Sequence, residues 1–285
     1  KYFSYVAIIP YTLTNNDVTV VNGIITECSY FNDIKNKGSV ITIPDKLDNE
    51  VITGISQSVF YDRGISEILL PPGIQKIESG AFSSNEIINL KVPPGLKTIG
   101  VESFINNSIN SLTFEPGSQL ETIGINAFSG NRIVNINFPE SLVRIEKYAF
   151  QYNFIQSIKF EANSKLLSIG SNAFIGNYTL TEFTLPDPTP NGYTYWVDWD
   201  NKQYSTNRVV SNLESFYKVP IEYTLTNDDV EVVDGVITKY TPKNPNANIL
   251  TIPGSLDGQK ITGVGNGVFR AFGLIGINLP VTLET

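Results

Sequence analysis

The stretch ISEILLPPGIQKIESGAF (65–82) returns one step later as IINLKVPPGLKTIGVESF (87–104). Two Ile recur at matched places (Ile65 with Ile87, Ile77 with Ile99), two prolines and a glycine stand between them, and each copy closes on Phe. Extended outward, the closing Phe falls at 60, 82, 104, 128, 150 and 174, in steps of 22, 22, 24, 22 and 24 residues. An Ile stands five before each: Ile55, Ile77, Ile99, Ile123, Ile145 and Ile169. Ala precedes four of the six, as Ala81, Ala127, Ala149 and Ala173.

After each Phe comes an apolar triplet at i, i+3 and i+5: Ile65-Ile68-Leu70, Ile87-Leu90-Val92, Ile109-Leu112-Phe114, Ile133-Ile136-Phe138, Ile155-Ile158-Phe160 and Leu180-Phe183-Leu185. The last two members are two apart and share one strand face. Pro71, Pro93, Pro139 and Pro186 follow closely, and a residue without an amide hydrogen stops a strand there. Each apolar run is short and bounded by Pro, Gly or Asn, so a helix does not fit. Asn85, Asn107, Asn131 and Asn153 lie two before the first triplet residue. Stacked amides that satisfy loop backbone are the expected role, with ligand contact as the other reading.

A 22-residue coil cannot bury its apolar face alone, whereas stacked coils make a continuous core and a parallel sheet. The unit resembles the leucine-rich repeat of the BspA-like family of bacterial surface proteins. The carrying residues are Ile-x-x-Ile-x-Leu-Pro at 65–71 and the Ile-Gly-x-x-Ala-Phe-like motifs at 99–104, 123–128 and 169–174, the first with Ser103 for Ala. The resemblance covers about 41–186 and resumes at 250–285. It implies a mostly β, right-handed leucine-rich-repeat solenoid whose convex side carries turns rather than full helices.

The flanks are duplicated. YTLTNNDVTVVNGIIT (11–26) recurs as YTLTNDDVEVVDGVIT (223–238), identical at 12 of 16 positions. Asn22-Gly23 and Asp234-Gly235 sit between β-rich runs, the strongest short hairpin signal. Each hairpin is expected to cap a solenoid. ITIPDKLDNEVITGISQSVF (41–60) likewise matches LTIPGSLDGQKITGVGNGVF (250–269). The expected divisions are 1–10 as the tail of a preceding module or linker, 11–186 as a capped solenoid, 187–222 as a small aromatic-rich β module, and 223–285 as a second, truncated solenoid. Residues 187–222 resemble the small β repeat that accompanies internalin-type and BspA-like surface proteins, through Pro-x-x-Asn-Gly-Tyr-Thr-Tyr (188–195), Trp199 and the run Leu213 to Val219. The family's Gly-Trp pair is Asp198-Trp199 here. The chain opens at Lys1 and stops at Thr285, about where another Ile-Gly motif is due, as a fragment of a longer array would.

Composition removes much chemistry. There is no His, so Ser-His-Asp catalysis and His-ligated metal are excluded, and Cys28 alone forms no internal disulfide. A net charge of −8 argues against a broad hold on nucleic acid. No apolar run of about 18 residues spans a membrane. No cofactor, metal or catalytic residue is expected. Gly263-x-Gly265-x-Gly267 lacks the spacing of a nucleotide loop and aligns with ordinary repeat. Asp198-x-Asp200-Asn201 begins like a calcium loop, but Gln203 and Val209 stand where Gly and Glu are needed. Asp228-Asp229 is a weaker version. No carboxylate pair is set apart as a glycosidase site.

What remains is surface. The outward strand positions expected to form a concave polar ladder are Lys91, Ser111, Thr113, Asn135, Asn137, Ser157 and Lys159, alongside Glu67, Leu69, Asn89, Glu182 and Thr184. The alternative surface is Tyr195, Trp196 and Trp199, although a small module also needs such rings for its core. The expected function is non-enzymatic binding by a secreted or cell-surface bacterial protein. The family resemblance implies an adhesin that holds a host extracellular or cell-surface protein, or a glycan. The rival reading is a substrate-docking or spacer arm of a larger secreted enzyme. EDTA and reductant should leave the melting temperature unchanged; a clear fall in EDTA would bring a cation to Asp198 and Asp200.

Overall fold

The computed structural model describes residues 10–29, 40–180, 183–187, 193–198, 203–204, 209–210, 216–220, 222–244, 247, 249–270, 274 and 276–283. The chain forms two compact units, Lys1–Pro186 with Asn207–Tyr217, and Asp187–Thr206 with Lys218–Thr285. Among the described residues there is no α-helix, and one short 3-10 turn spans Asn227–Asp229.

The first unit is a β-solenoid with two strands per coil. One ladder runs in parallel through Tyr11–Thr12, Val40–Thr42, Glu67–Leu69, Asn89–Val92 and Ser111–Phe114. Asn135–Phe138 and Ser157–Phe160 pair in parallel in the same coil position. The second ladder runs through Ile24–Cys28, Gly54–Ile55, Lys76–Ile77, Thr98–Ile99, Thr122–Ile123, Arg144–Ile145 and Ser168–Ile169. It contains the Ile five before each Phe, a residue whose strand the sequence pattern does not reveal because only two residues pair.

Between the ladders lies the core. Phe60, Phe82, Phe104, Phe128, Phe150 and Phe174 are fully buried. Successive rings stack at 5.1–5.5 Å with planes 2–14° apart. The Ala before Phe is buried too. Its carbonyl accepts the Phe amide of the preceding coil, as in Phe104 N to Ala127 O at 2.9 Å and Phe128 N to Ala149 O at 2.8 Å. Each coil turns around its Phe through two left-handed residues, two before and two after it, with φ of 50–77°. The 24-residue coils carry their extra pair after the first-ladder strand, at 115–119 and 161–165.

Both expected hairpins form. Val18–Val21 pairs antiparallel with Ile24–Cys28, and Val230–Val233 with Val236–Tyr240. Their turns are left-handed at both central residues, Asn22 (53°) and Gly23 (74°), Asp234 (50°) and Gly235 (77°). This is the turn geometry that suits strand twist. A Cβ on Gly23 would meet the Val51 carbonyl oxygen at 2.5 Å, and one on Gly235 the Lys260 oxygen at 2.6 Å. Glycine is therefore required there both by φ and by space.

The far end of the first array is covered by pieces of the 187–222 segment. Ile169 pairs antiparallel with Phe216, and Phe183 with Val210. The second unit repeats the opening of the first. Glu222–Thr224, Ile249–Thr251 and Gly276–Asn278 form one parallel ladder, and Gly263–Val264 runs parallel to Val236–Tyr240. Its core contains Leu225, Ile237, Leu250, Ile252 and Ile261.

Phe128→Ala should lower the unfolding free energy by about 3–5 kcal/mol, through lost transfer energy and a cavity between two rings. A loss below about 1 kcal/mol in denaturant titration would place the Phe row outside the core. Ser103 gives the opposite sign. Its hydroxyl is fully buried without a hydrogen-bond partner among the described residues. Ser103→Ala should stabilise the chain by about 1 kcal/mol.

Candidate functional site

The first ladder alternates as a half-solvated sheet must. Leu90, Val92, Leu112, Ile136, Phe138 and Ile158 are buried, while Asn89, Lys91, Ser111, Thr113, Asn135, Asn137 and Lys159 are exposed and Ser157 is half-buried. The register sets these side chains in two rows. Lys91 lies opposite Thr113, and Asn137 opposite Lys159. Asn89 lies opposite Ser111, and Asn135 opposite Ser157, with Ser157 Oγ donating to Asn135 Oδ1 at 2.6 Å. Over these four coils the face has two ammonium groups and no carboxylate. Glu67, half-buried, and Leu69, 41% exposed, begin the rows. Thr184 is exposed near their far end, and Glu182 lies outside the described residues.

At the carboxyl ends of the same strands the two longer loops flank the short loop Pro139-Glu140-Ser141. They leave a groove of about 290 Å³ lined by Glu115, Gly117, Glu140, Glu161 and Lys165 among others. Glu161 Oε2 accepts the Glu140 amide at 3.1 Å, and Ser141 Oγ donates to Leu120 O at 2.8 Å. The two 24-residue steps in the sequence carry the signal for this groove, which periodicity alone does not turn into a shape. Among the described residues no group of three or more His, Cys, Asp or Glu is arranged to hold a metal ion.

The remaining candidates resolve into structure. Asn85, Asn107, Asn131 and Asn153 are buried and bonded on both sides of the amide, and Asn177 extends the row. Asn177 escapes the sequence pattern because it stands three, not two, residues before Leu180. Trp196 lies in the strand Tyr193–Asp198 opposite Tyr204 and is fully buried. It is therefore core, which corrects its place in the alternative docking surface. Trp199, Asp200 and Asn201 lie outside the described residues, as does the side chain of Tyr195. Gly263 belongs to a ladder strand, and a turn rather than a helix follows at 266–270.

Asp229 is fully buried. Its Oδ2 accepts from Thr226 N at 2.9 Å, Thr226 Oγ1 at 2.7 Å and Tyr223 OH at 2.9 Å. Its Oδ1 accepts from Lys243 N at 2.9 Å. Asp17 plays the same part in the first cap, with Thr14 N at 2.7 Å, Thr14 Oγ1 at 2.6 Å and Tyr11 OH at 3.0 Å. The signal was present in the repeated YTLTNxDV, where Tyr, Thr and Asp keep their spacing. Sequence patterning also passes over Tyr152, Phe154 and Tyr178, exposed aromatics outside the core columns.

The BspA type leucine rich repeat region family matches residues 1–118 and 114–195, in six copies. Among solved structures the chain is similar to the pneumococcal vaccine antigen PcpA, at 19% identity over 100% of this chain and with a TM-score of 0.45. It spans 64% of that chain's length. It is also similar to a leucine rich cell surface protein from Faecalibacterium prausnitzii, at 15% identity over 94% of this chain and 69% of that one, with a TM-score of 0.37. No curated protein matches the chain.

Burial pushes the Asp229 carboxyl up, but the hydrogen bonds from Thr226, the Lys243 amide and the Tyr223 hydroxyl outweigh it and hold the group below the ordinary carboxylate value. A depressed folded value adds stability that is complete above the unfolded value of about 4 and is lost as pH falls through the folded one. Asp229→Asn should cost about 2–3 kcal/mol at neutral pH. It should also flatten the acid limb of the stability curve for the second unit. An unchanged acid limb would remove Asp229 from that linkage.

Proposed function

The chain belongs to the BspA-type leucine-rich-repeat family, and we propose that it is a non-enzymatic binding module of a bacterial secreted or cell-surface protein. Its partner is a protein on a host or neighbouring cell, held along the outward face of the first ladder. The observation that carries this reading is the paired polar rows of Asn89, Lys91, Ser111, Thr113, Asn135, Asn137, Ser157 and Lys159, fixed in register by parallel strands. Each side chain is small and offers little alone. Repetition over rigid coils supplies the area that a specific protein contact needs, about 800 Å² per partner. The two lysines on a carboxylate-free strip, in a chain of net charge −8, favour a partner that presents carboxylates there. Such contacts weaken with salt.

The expected divisions serve this reading: a capped array at 11–186 presents the face, and 223–285 starts a second array. No helix among the described residues is long and apolar enough to cross a membrane.

Joint replacement of Lys91, Asn135, Asn137 and Lys159 by Ala should abolish retention of extracellular-matrix and cell-surface proteins on the immobilised chain. Each single change should alter stability by no more than about 0.5 kcal/mol. The reading fails if the quadruple variant still binds. If Tyr195→Ala with Trp199→Ala then removes binding from a folded chain, the site lies in 187–222 and the solenoid is a spacer.

A further inference from the structure

A second exposed feature lies in the turns, not on the ladder face. The left-handed residue two before the buried Phe is Ser58, Gly80, Glu102, Asn126, Tyr148 or Asn172, coil by coil. The one two after it is Asp62, Ser84, Asn106, Gly130, Tyr152 or Gly176. Only the fifth coil places aromatic residues at both, with φ of 60° at Tyr148 and 53° at Tyr152. This region favours Gly and Asn, and a bulky side chain there is an outlier that points to a role beyond the fold.

Neither the Tyr152 ring nor its neighbours serve the core. Tyr152 is 60% exposed, Phe154 59% and Tyr178 91%. Phe154 and Tyr178 each follow the ladder asparagine of successive coils, and Thr179 Oγ1 ties the two turns by donating to Ile155 O at 2.8 Å. The Tyr152 ring is set in place by the next coil. It lies in space left by Gly176, where a Cβ would come within 2.4 Å of the ring Cδ1. Polar groups interleave with the rings. Gln151 Nε2 donates to Asn126 Oδ1 at 3.1 Å, and Arg132, exposed, holds the position equivalent to Phe154 one coil earlier.

We propose that Tyr152, Phe154 and Tyr178 form a glycan platform that stacks the apolar faces of a neutral pyranoside chain. A sugar ring has an apolar C–H face and a rim of hydroxyls, so it needs exposed aromatic faces edged by amide, hydroxyl and guanidinium groups. A protein hot spot instead needs anchors packed in a desolvated pocket, whereas these rings stand in solvent outside the strands. The net charge of −8 disfavours anionic sugars. The fixed Tyr152 ring lowers the ordering cost of binding.

The test presents the full chain to an immobilised array of neutral glucose-, galactose- and N-acetylglucosamine-containing oligosaccharides beside their sialylated counterparts. Wild type should hold at least one neutral glycan. Tyr152→Asn with Phe154→Ser and Tyr178→Ser should weaken it at least tenfold, while the Lys91, Asn135, Asn137 and Lys159 variant keeps it. Tyr152→Asn alone should weaken binding yet leave the melting temperature equal or higher, because Asn accepts the left-handed backbone. The proposal is overturned if no neutral glycan is held, if the triple variant binds as wild type does, or if only sialylated glycans bind. It is also overturned if the array is blank and the triple variant loses a protein partner instead.

Discussion

A buried asparagine amide joins each coil to the one before it. In all five ladder residues Oδ1 accepts, at 3.0 Å, the amide of the first triplet residue in the preceding coil: Ile65, Ile87, Ile109, Ile133 and Ile155. Nδ2 donates to the preceding Phe carbonyl at 2.7–2.9 Å. It donates again to the Phe carbonyl of its own coil at 2.7–3.2 Å. Turns around a buried ring leave backbone groups that no strand can satisfy. One primary amide, with donors and an acceptor on a short stem, meets three of them at once. The stacked Phe rings, the two ladders and the outward polar rows all inherit the spacing that this contact sets.

An array held together by neighbours needs its ends covered. Here the covers are built differently at each end. The duplicated hairpins begin each unit and rest on a buried carboxylate, Asp17 or Asp229, that gathers nearby Thr and Tyr groups. The far end of the first unit is closed by antiparallel strands from the aromatic-rich segment. That segment contributes Trp196 to packing, so its ring content reflects core construction in at least one position.

The repeat, its Phe row, the inward strand residues and the hairpin turns were readable because each depends on residue type at a fixed spacing. The second ladder was not, since a two-residue strand has no periodicity to display. Asn177 was hidden by a one-residue shift, and the groove beside Glu140 by the difference between a loop's length and its path. Of the surface candidates, Lys91 to Lys159 stand outward as the alternation requires. Trp196 does not, because an aromatic residue in a short strand reads alike whether it faces core or water. Tyr152 and Tyr178 were invisible for the opposite reason: they break no pattern, and only exposure and a left-handed backbone mark Tyr152.

The account stands on the amide ladder, and Asn131→Ala tests it most directly. The side chain is buried between the third and fourth coils, where its loss leaves the Ile109 amide without its side-chain partner and the Phe104 and Phe128 carbonyls each with one asparagine donor, Asn107 or Asn153, in place of two. Urea unfolding should show a loss of about 3 kcal/mol or more, with faster hydrogen exchange at the Ile109 amide, while Asn135→Ala four residues on changes neither. A loss below about 1 kcal/mol with Ile109 exchange unchanged would contradict the account.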